Sequence, residues 1–252
     1  MSIVDKPAFG LTAALLSFVA LTAPALAATR NIVLVHGALV DGSGWRGVYD
    51  ILTRDGYKVS IVQQPLTSLD WDVAATKSVL DRQDGDVVLV GHSYGGTIVT
   101  QAGDDPKVKA LVYVAALQPE KGESTAQLLQ SMASPTNDIK PTKDGFLRID
   151  PAKFAADFGA ELPKDQAEFM AWSQMPVAVA ATEAKVKVAA WHDKPSYAIV
   201  ATDDMTINPE LERWMYKRAG SKVTEVAGSH AIYISQAAAV AKVIEDAAEA
   251  AK

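Results

Sequence analysis

Apolar and polar positions fall into two alternating periods along most of this chain. Short β-branched runs at Asn31–Val35, Lys58–Val62, Val87–Val90 and Val108–Ala115 read as strands. The apolar run leading to Ser93 is nearly continuous, which predicts a strand buried on both faces. Helical spacing fills the gaps. Trp45, Val48, Ile51 and Leu52 share one side of a helix that runs to Arg54 and stops at Gly56. A second helix is expected to be capped by Asp70 and to run to Leu80, before a turn at Asp84-Gly85. A third ends near Gly103. Strand and helix in alternation predict a parallel sheet wound with helices on both faces.

The alternation breaks after Leu117. Residues 118–194 carry helical pieces at Ser124–Met132, after the Asp150-Pro151 cap, and near Asp165–Gln174, separated by polar turns at Ser134–Asp138 and Lys143–Gly145. We read this stretch as a helical cap insert. Its aromatics, Phe154, Phe158, Phe169 and Trp172, either line an apolar pocket or join the cap to the sheet. The sheet pattern resumes at Ser196–Val200. A helix over Pro209–Ala219 follows, with Leu211, Trp214 and Met215 apolar, then a last strand at Lys222–Val226. An alanine-rich helix, Gln236–Ala250, turns Val240, Val243 and Ile244 inward. The expected core is therefore 28–117 plus 195–252, with about six strands.

Residues 1–27 stand apart. Lys6, the apolar stretch Phe9–Ala23 and the small-residue site Ala25-Leu26-Ala27 have the form of an export signal cleaved after Ala27. That reading places the mature chain in the periplasm or outside the cell, with no membrane span, because the apolar stretch is short for an anchor. A length of 252 residues at 49% hydrophobic and 21% charged suits one domain with a full core. The net charge of −6, with no basic cluster, argues against a nucleic-acid partner. The lack of cysteine removes disulfides and thiolate chemistry. His36, His92, His192 and His230 are scattered and no H-E-x-x-H occurs, so no metal site is expected.

Candidate chemistry begins at Gly91-His92-Ser93-Tyr94-Gly95, a G-x-S-x-G run between a strand and a helix. That context reads as a nucleophile elbow, in which a strained backbone lifts the serine oxygen clear of the sheet. Gly91 and Gly95 leave room for strand and helix to close around it, and the helix N–H groups face the place where negative charge would develop. The glycine-rich loop His36–Trp45 lacks both G-x-G-x-x-G and G-K-[ST], so it does not support a nucleotide site. An aspartate, at 203 or 204, follows the strand Ser196–Val200, and His230 follows the last strand. Open parallel sheets carry their sites at that C-terminal edge.

The order Ser, Asp, His resembles the α/β-hydrolase superfamily over nearly the whole mature chain. Within it, the sequence is similar to small esterases related to plant methyl-ester hydrolases and hydroxynitrile lyases. The matching pieces are V-H-G-A with a following tryptophan, G-H-S-Y-G-G, T-D-D before Ile207 and Pro209, and G-S-H. The resemblance implies Ser93 as nucleophile, His230 as base, and Asp204, five residues before Pro209, as the acid, leaving Asp203 a turn residue. It implies an oxyanion hole from the N–H groups of Ala38 and Tyr94. The implied reaction is hydrolysis of a small carboxylic ester through an acyl-serine, with water and no cofactor. Related dehalogenases and epoxide hydrolases use an aspartate nucleophile, so Ser93 argues against both. A lyase of this branch needs a lysine after the histidine and a threonine in the first loop, where this chain has Ala231 and Gly37. Cofactor-free haloperoxidase-like activity and a catalytically silent small-molecule-binding role remain as alternatives. His36 is expected to shape the oxyanion loop and His92 to face away from the site. His192 is expected to be exposed, and Asp41 and Ser43 to form a turn.

Overall fold

Six parallel strands form the central sheet of the computed structural model, which describes residues 1–3 and 29–251. The expected export signal and its cleavage point lie almost wholly outside those residues. In chain order the first strands are β1 (Asn31–Val35), β2 (Lys58–Val62), β3 (Val87–Ser93) and β4 (Val108–Ala116). The insert contributes β5 (Ile139–Pro141), β6 (Phe146–Ile149) and β7 (Val177–Ala178), and the sheet closes with β8 (Ser196–Ala201) and β9 (Lys222–Val226). The spatial order is β2-β1-β3-β4-β8-β9. The chain leaves β1 toward β2 and returns on the other side as β3. Loops after β1 and β3 therefore diverge at a switch point, where a crevice opens beyond the strand ends.

Strand side chains alternate between two apolar layers, as a period of two requires. Val33, Val35 and Leu89 pack on one face with α2 (Leu69–Asp81), α3 (Gly95–Ala102) and α8 (Pro209–Ala219). Ile32, Leu34, Val88 and Val90 pack on the other with α1 (Arg46–Arg54) and α10 (Ala237–Ala250). The remaining helices are α4 (Thr125–Ser131), α5 (Pro151–Phe158), α6 (Lys164–Trp172), α7 (Val179–Glu183) and α9 (Ile232–Ser235). Among the described residues, no helix is long and apolar enough to cross a membrane.

Three expectations change. Asp70 does not cap α2. Extended Ser68 does, accepting the Trp71 N–H at 3.2 Å, and Asp70 falls in the first turn, where it pairs with Lys187. The insert is not purely helical. Ile139–Pro141 and Phe146–Ile149 form an antiparallel hairpin, to which Val177–Ala178 adds a third strand. The polar turn at Lys143–Gly145 joins the first two, with Gly145 at φ +82°. Of the two readings of the insert's aromatics, joining the cap to the sheet fails for Phe169 and Trp172. They are 72% and 76% exposed, because α6 packs through its small side, Ala167 and Ala171, against the cluster that holds Phe154 and Phe158. Trp214 is also half exposed, with the Arg218 guanidinium 4.5 Å above its ring, and Tyr216 takes the buried place on α8.

Candidate active site

The end of β3 sets the geometry. Ser93 has φ +54°, a left-handed conformation that costs a side-chain-bearing residue on the order of 1–3 kcal/mol. Close packing on both sides holds it there. A Cβ on Gly91 would lie 2.6 Å from the Gly95 carbonyl oxygen, and one on Gly96 would lie 2.1 Å from that of Leu117. The partner strand accommodates the turn with an irregular register at Ser93, where Ala115 has φ +43°. The Tyr216 hydroxyl bridges that irregularity, accepting the Ala116 N–H and donating to the Ala116 carbonyl, both at 2.8 Å.

The loops after β8 and β9 bring two groups to this serine. His230 Nε2 lies 2.8 Å from Ser93 Oγ, and His230 Nδ1 lies 2.6 Å from Asp204 Oδ2. Asp204 Oδ1 accepts the N–H groups of Thr206 and Ile207 at 2.7 and 2.9 Å. A carboxylate so held accepts a hydrogen bond from Nδ1–H, which keeps the imidazole proton on Nδ1 and leaves Nε2 with its lone pair toward the serine. Asp203 points elsewhere and accepts the Gly228 N–H at 3.1 Å, a turn contact. His92 differs from expectation. Its Nε2–H donates to the His230 carbonyl at 2.9 Å, and the two rings lie 4.7 Å apart, so it supports the backbone of the histidine it was expected to face away from. Burial holds His92 neutral, well below the usual imidazole range. His36 donates from Nδ1 to the Gly37 carbonyl within the first loop, and burial lowers it to about 4. His192 is exposed and pairs with Glu120, and Asp41 accepts the Ser43 N–H in a turn.

Ala38 and Tyr94 line the same cavity as Ser93, and among the described residues neither main-chain N–H donates to a protein acceptor. N–H groups without a partner are rare inside proteins, and these two belong to residues that line the cavity beside Ser93. Tyr94 is steadied from behind, since its hydroxyl donates to Asp72 Oδ2 at 2.9 Å. Asp72 Oδ1 accepts the N–H of Leu66, another left-handed residue (φ +59°), whose carbonyl in turn accepts the Ala178 N–H of β7. Burial raises the Asp72 carboxyl to about 6, against the pull of its two hydrogen bonds.

Above Ser93 lies a small cavity of about 60 Å³, walled by neutral residues such as Leu117, Leu129, Leu147, Val177 and Phe158. Leu39 separates it from a wider cleft of about 460 Å³ that includes Phe169. The insert is bonded to both site loops through the end of α5. The Asp157 carbonyl accepts the Thr206 hydroxyl. The Phe158 carbonyl accepts the Ala231 N–H and the Ser229 hydroxyl, and Glu161 accepts the Ser229 N–H. The α5 end is therefore part of the frame that aims His230.

This geometry agrees with what the chain resembles. The alpha/beta hydrolase family matches residues 32–243. The chain belongs to that family. Among curated alpha/beta hydrolase relatives, it is 34% identical over 119 residues to a carbendazim hydrolyzing esterase of Nocardioides sp.. That match covers 42% of this chain and about half of the relative, 49%. It is 25% identical over 217 residues to methylesterase 8 of Arabidopsis thaliana, covering 74% of this chain and 76% of that one. The crystal structure of a pyrethroid hydrolase from Sphingobium faniae JZ-2 superposes with a TM-score of 0.74 at 24% identity, over 87% of this chain and 97% of the other. At that identity the superposition shows a shared fold.

Sequence reasoning passed over Asp72 and Glu212. Both sit among the buried positions of an amphipathic helix, Asp72 with Leu69, Val73 and Thr76, and Glu212 with Leu211, Met215 and Tyr216. A carboxylate where the helical period calls for an apolar residue is the signal that marks them.

Proposed function

We propose that this alpha/beta hydrolase is a serine hydrolase that cleaves a small, uncharged carboxylic ester through an acyl-serine intermediate. The observation that carries the reading is the continuous relay from Asp204 through His230 to Ser93, at 2.6 and 2.8 Å, beside two unpartnered N–H groups. His230 Nε2 takes the Ser93 proton as Oγ adds to the ester carbonyl carbon. The N–H groups of Ala38 and Tyr94 hold the resulting oxyanion, and one such donor typically lowers the barrier by about 3 kcal/mol. The imidazolium then protonates the departing alcohol, and a water activated by the same histidine releases the acid. The neutral walls of the cavity favour an uncharged ester. The names of the relatives, an esterase and a methylesterase, support the ester bond as the target.

Gly37 favours hydrolysis over the lyase alternative. A Cβ there would lie 2.7 Å from Ser93 Cβ, so this loop has no room for the threonine that a lyase of this branch requires. Turnover of p-nitrophenyl acetate tests the reading. Wild type hydrolyses it and is labelled by a serine-directed phosphonate at Ser93, and Ser93→Ala loses both. A wild-type protein that binds esters without turning them over would instead make the chain a receptor. We also propose export, with the mature chain beginning at Ala28. N-terminal sequencing of exported protein tests it, and an intact Met1 would overturn it.

A further inference from the structure

Beside Asp204 lies a second carboxyl that the relay does not require. Glu212, in the first turn of α8, is fully buried; among the described residues neither of its oxygens makes a well-formed hydrogen bond, though the main-chain N–H of Ala201 faces it. The groups facing it are Asp204 and the main chain of Ala201 from β8 and its following loop, and Arg213 and Tyr216 from its own helix. None is available to balance a charge. Arg213 is turned outward onto Glu210 and Glu225. The Tyr216 hydroxyl is committed to Ala116, and Tyr113, packed against Tyr216 from β4, to Thr100. A single main-chain N–H does not offset the burial of a full charge beside Asp204, so the group holds a proton and needs an acceptor.

Asp204 has the matching vacancy. Its Oδ1 accepts two N–H donors, whereas Oδ2 accepts only His230 Nδ1–H, which leaves one lone pair open. We propose that Glu212 is a positioning residue of the active site, a neutral carboxyl that donates its O–H to Asp204 Oδ2 and so steadies the carboxylate that orients His230. Burial and the neighbouring Asp204 charge hold Glu212 well above the usual carboxylate range, in keeping with that arrangement. The relay then carries one negative charge.

The inference rests on the reading of Asp204, His230 and Ser93 as the reacting set. Its test has two parts. Glu212→Leu removes the donor, and a lost hydrogen bond to a charged group predicts a fall in kcat of about tenfold or more with KM little changed. The acid limb of the kcat/KM profile moves upward, because a less solvated Asp204 holds the His230 proton more tightly. Glu212→Gln, whose amide can donate in the same direction, recovers most of the lost kcat and returns the limb toward wild type. A leucine variant with the wild-type profile, or a glutamine variant displaced as far as leucine, would overturn the proposal. The second part needs no turnover and no destabilised variant. The infrared difference spectrum of wild type against Glu212→Gln at neutral pH shows a protonated-carboxyl C=O band. Absence of that band refutes the neutral Glu212. Presence of the band in a protein that hydrolyses no ester removes the proposed reaction and leaves the carboxyl pair.

Discussion

Replacing Asp204 by asparagine isolates the tautomer of His230. Asp204 is 1% exposed and accepts three hydrogen bonds, from Thr206, Ile207 and His230. In the variant the two backbone N–H donors require an oxygen, so the amide oxygen stays on their side and the NH₂ turns to His230. That NH₂ donates to Nδ1, which sends the imidazole proton to Nε2. An N–H now faces Ser93 Oγ, and the serine loses its base. Triads with this substitution lose about 10⁴ in kcat, or roughly 5.5 kcal/mol of barrier. The two backbone hydrogen bonds survive and the one to His230 is replaced by a neutral bond of opposite direction, so the stability loss stays at about 1 kcal/mol. Asp203→Asn keeps its acceptor for Gly228 and changes kcat less than about threefold. Steady-state p-nitrophenyl acetate kinetics with thermal melting of each variant separate the two. A folded Asp204→Asn protein within tenfold of wild type, or a larger loss in Asp203→Asn, would show that the assignment of the acid is wrong.

Buried titrating groups predict opposing pH slopes in stability. Asp72, raised to about 6, keeps its proton in the fold after the unfolded chain has lost its own, so stability falls as pH rises from 3.8 through 6, by about 2 kcal/mol after solvent screening. His36, lowered to about 4, acts oppositely, and its contribution, about 3 kcal/mol, is lost as pH falls from 6.5 through 4. Asp72→Asn unmasks the histidine slope: urea denaturation at pH 4.5 and 6.5 finds its stability rising more steeply with pH than that of wild type, and parallel curves would contradict this. Phe158→Ala, which empties a buried site stacked on Phe154 and 5.0 Å from the His230 ring, costs about 3–5 kcal/mol and lowers kcat. Exposed Phe169→Ala changes stability by no more than about 0.5 kcal/mol, and a core-sized loss there in the same unfolding assay would mean that α6 packs through its aromatic face.

Much of the core was legible because its determinants are local. β1, β2 and β9 begin and end where the apolar periodicity does, and α8 starts at its Asn-Pro cap and stops at a left-handed Gly220. The elbow was legible because a serine at φ +54° between strand and helix demands glycines at fixed spacing. The hairpin in the insert was not, since strands of three, four and two residues carry too little pattern to separate from turns.

The sequence by itself determined the alternating sheet, the elbow at Ser93 and the chain order of three chemical groups, since each follows from spacing within a few residues. Only the tertiary structure decided what stands behind those groups. Asp72 meets Tyr94 from 22 positions away and His92 meets the His230 carbonyl from 138. Helical period says which residues share a face, but what covers that face depends on packing between distant elements. That packing places a buried carboxyl beside Asp204 and leaves two aromatic residues of the cap in water.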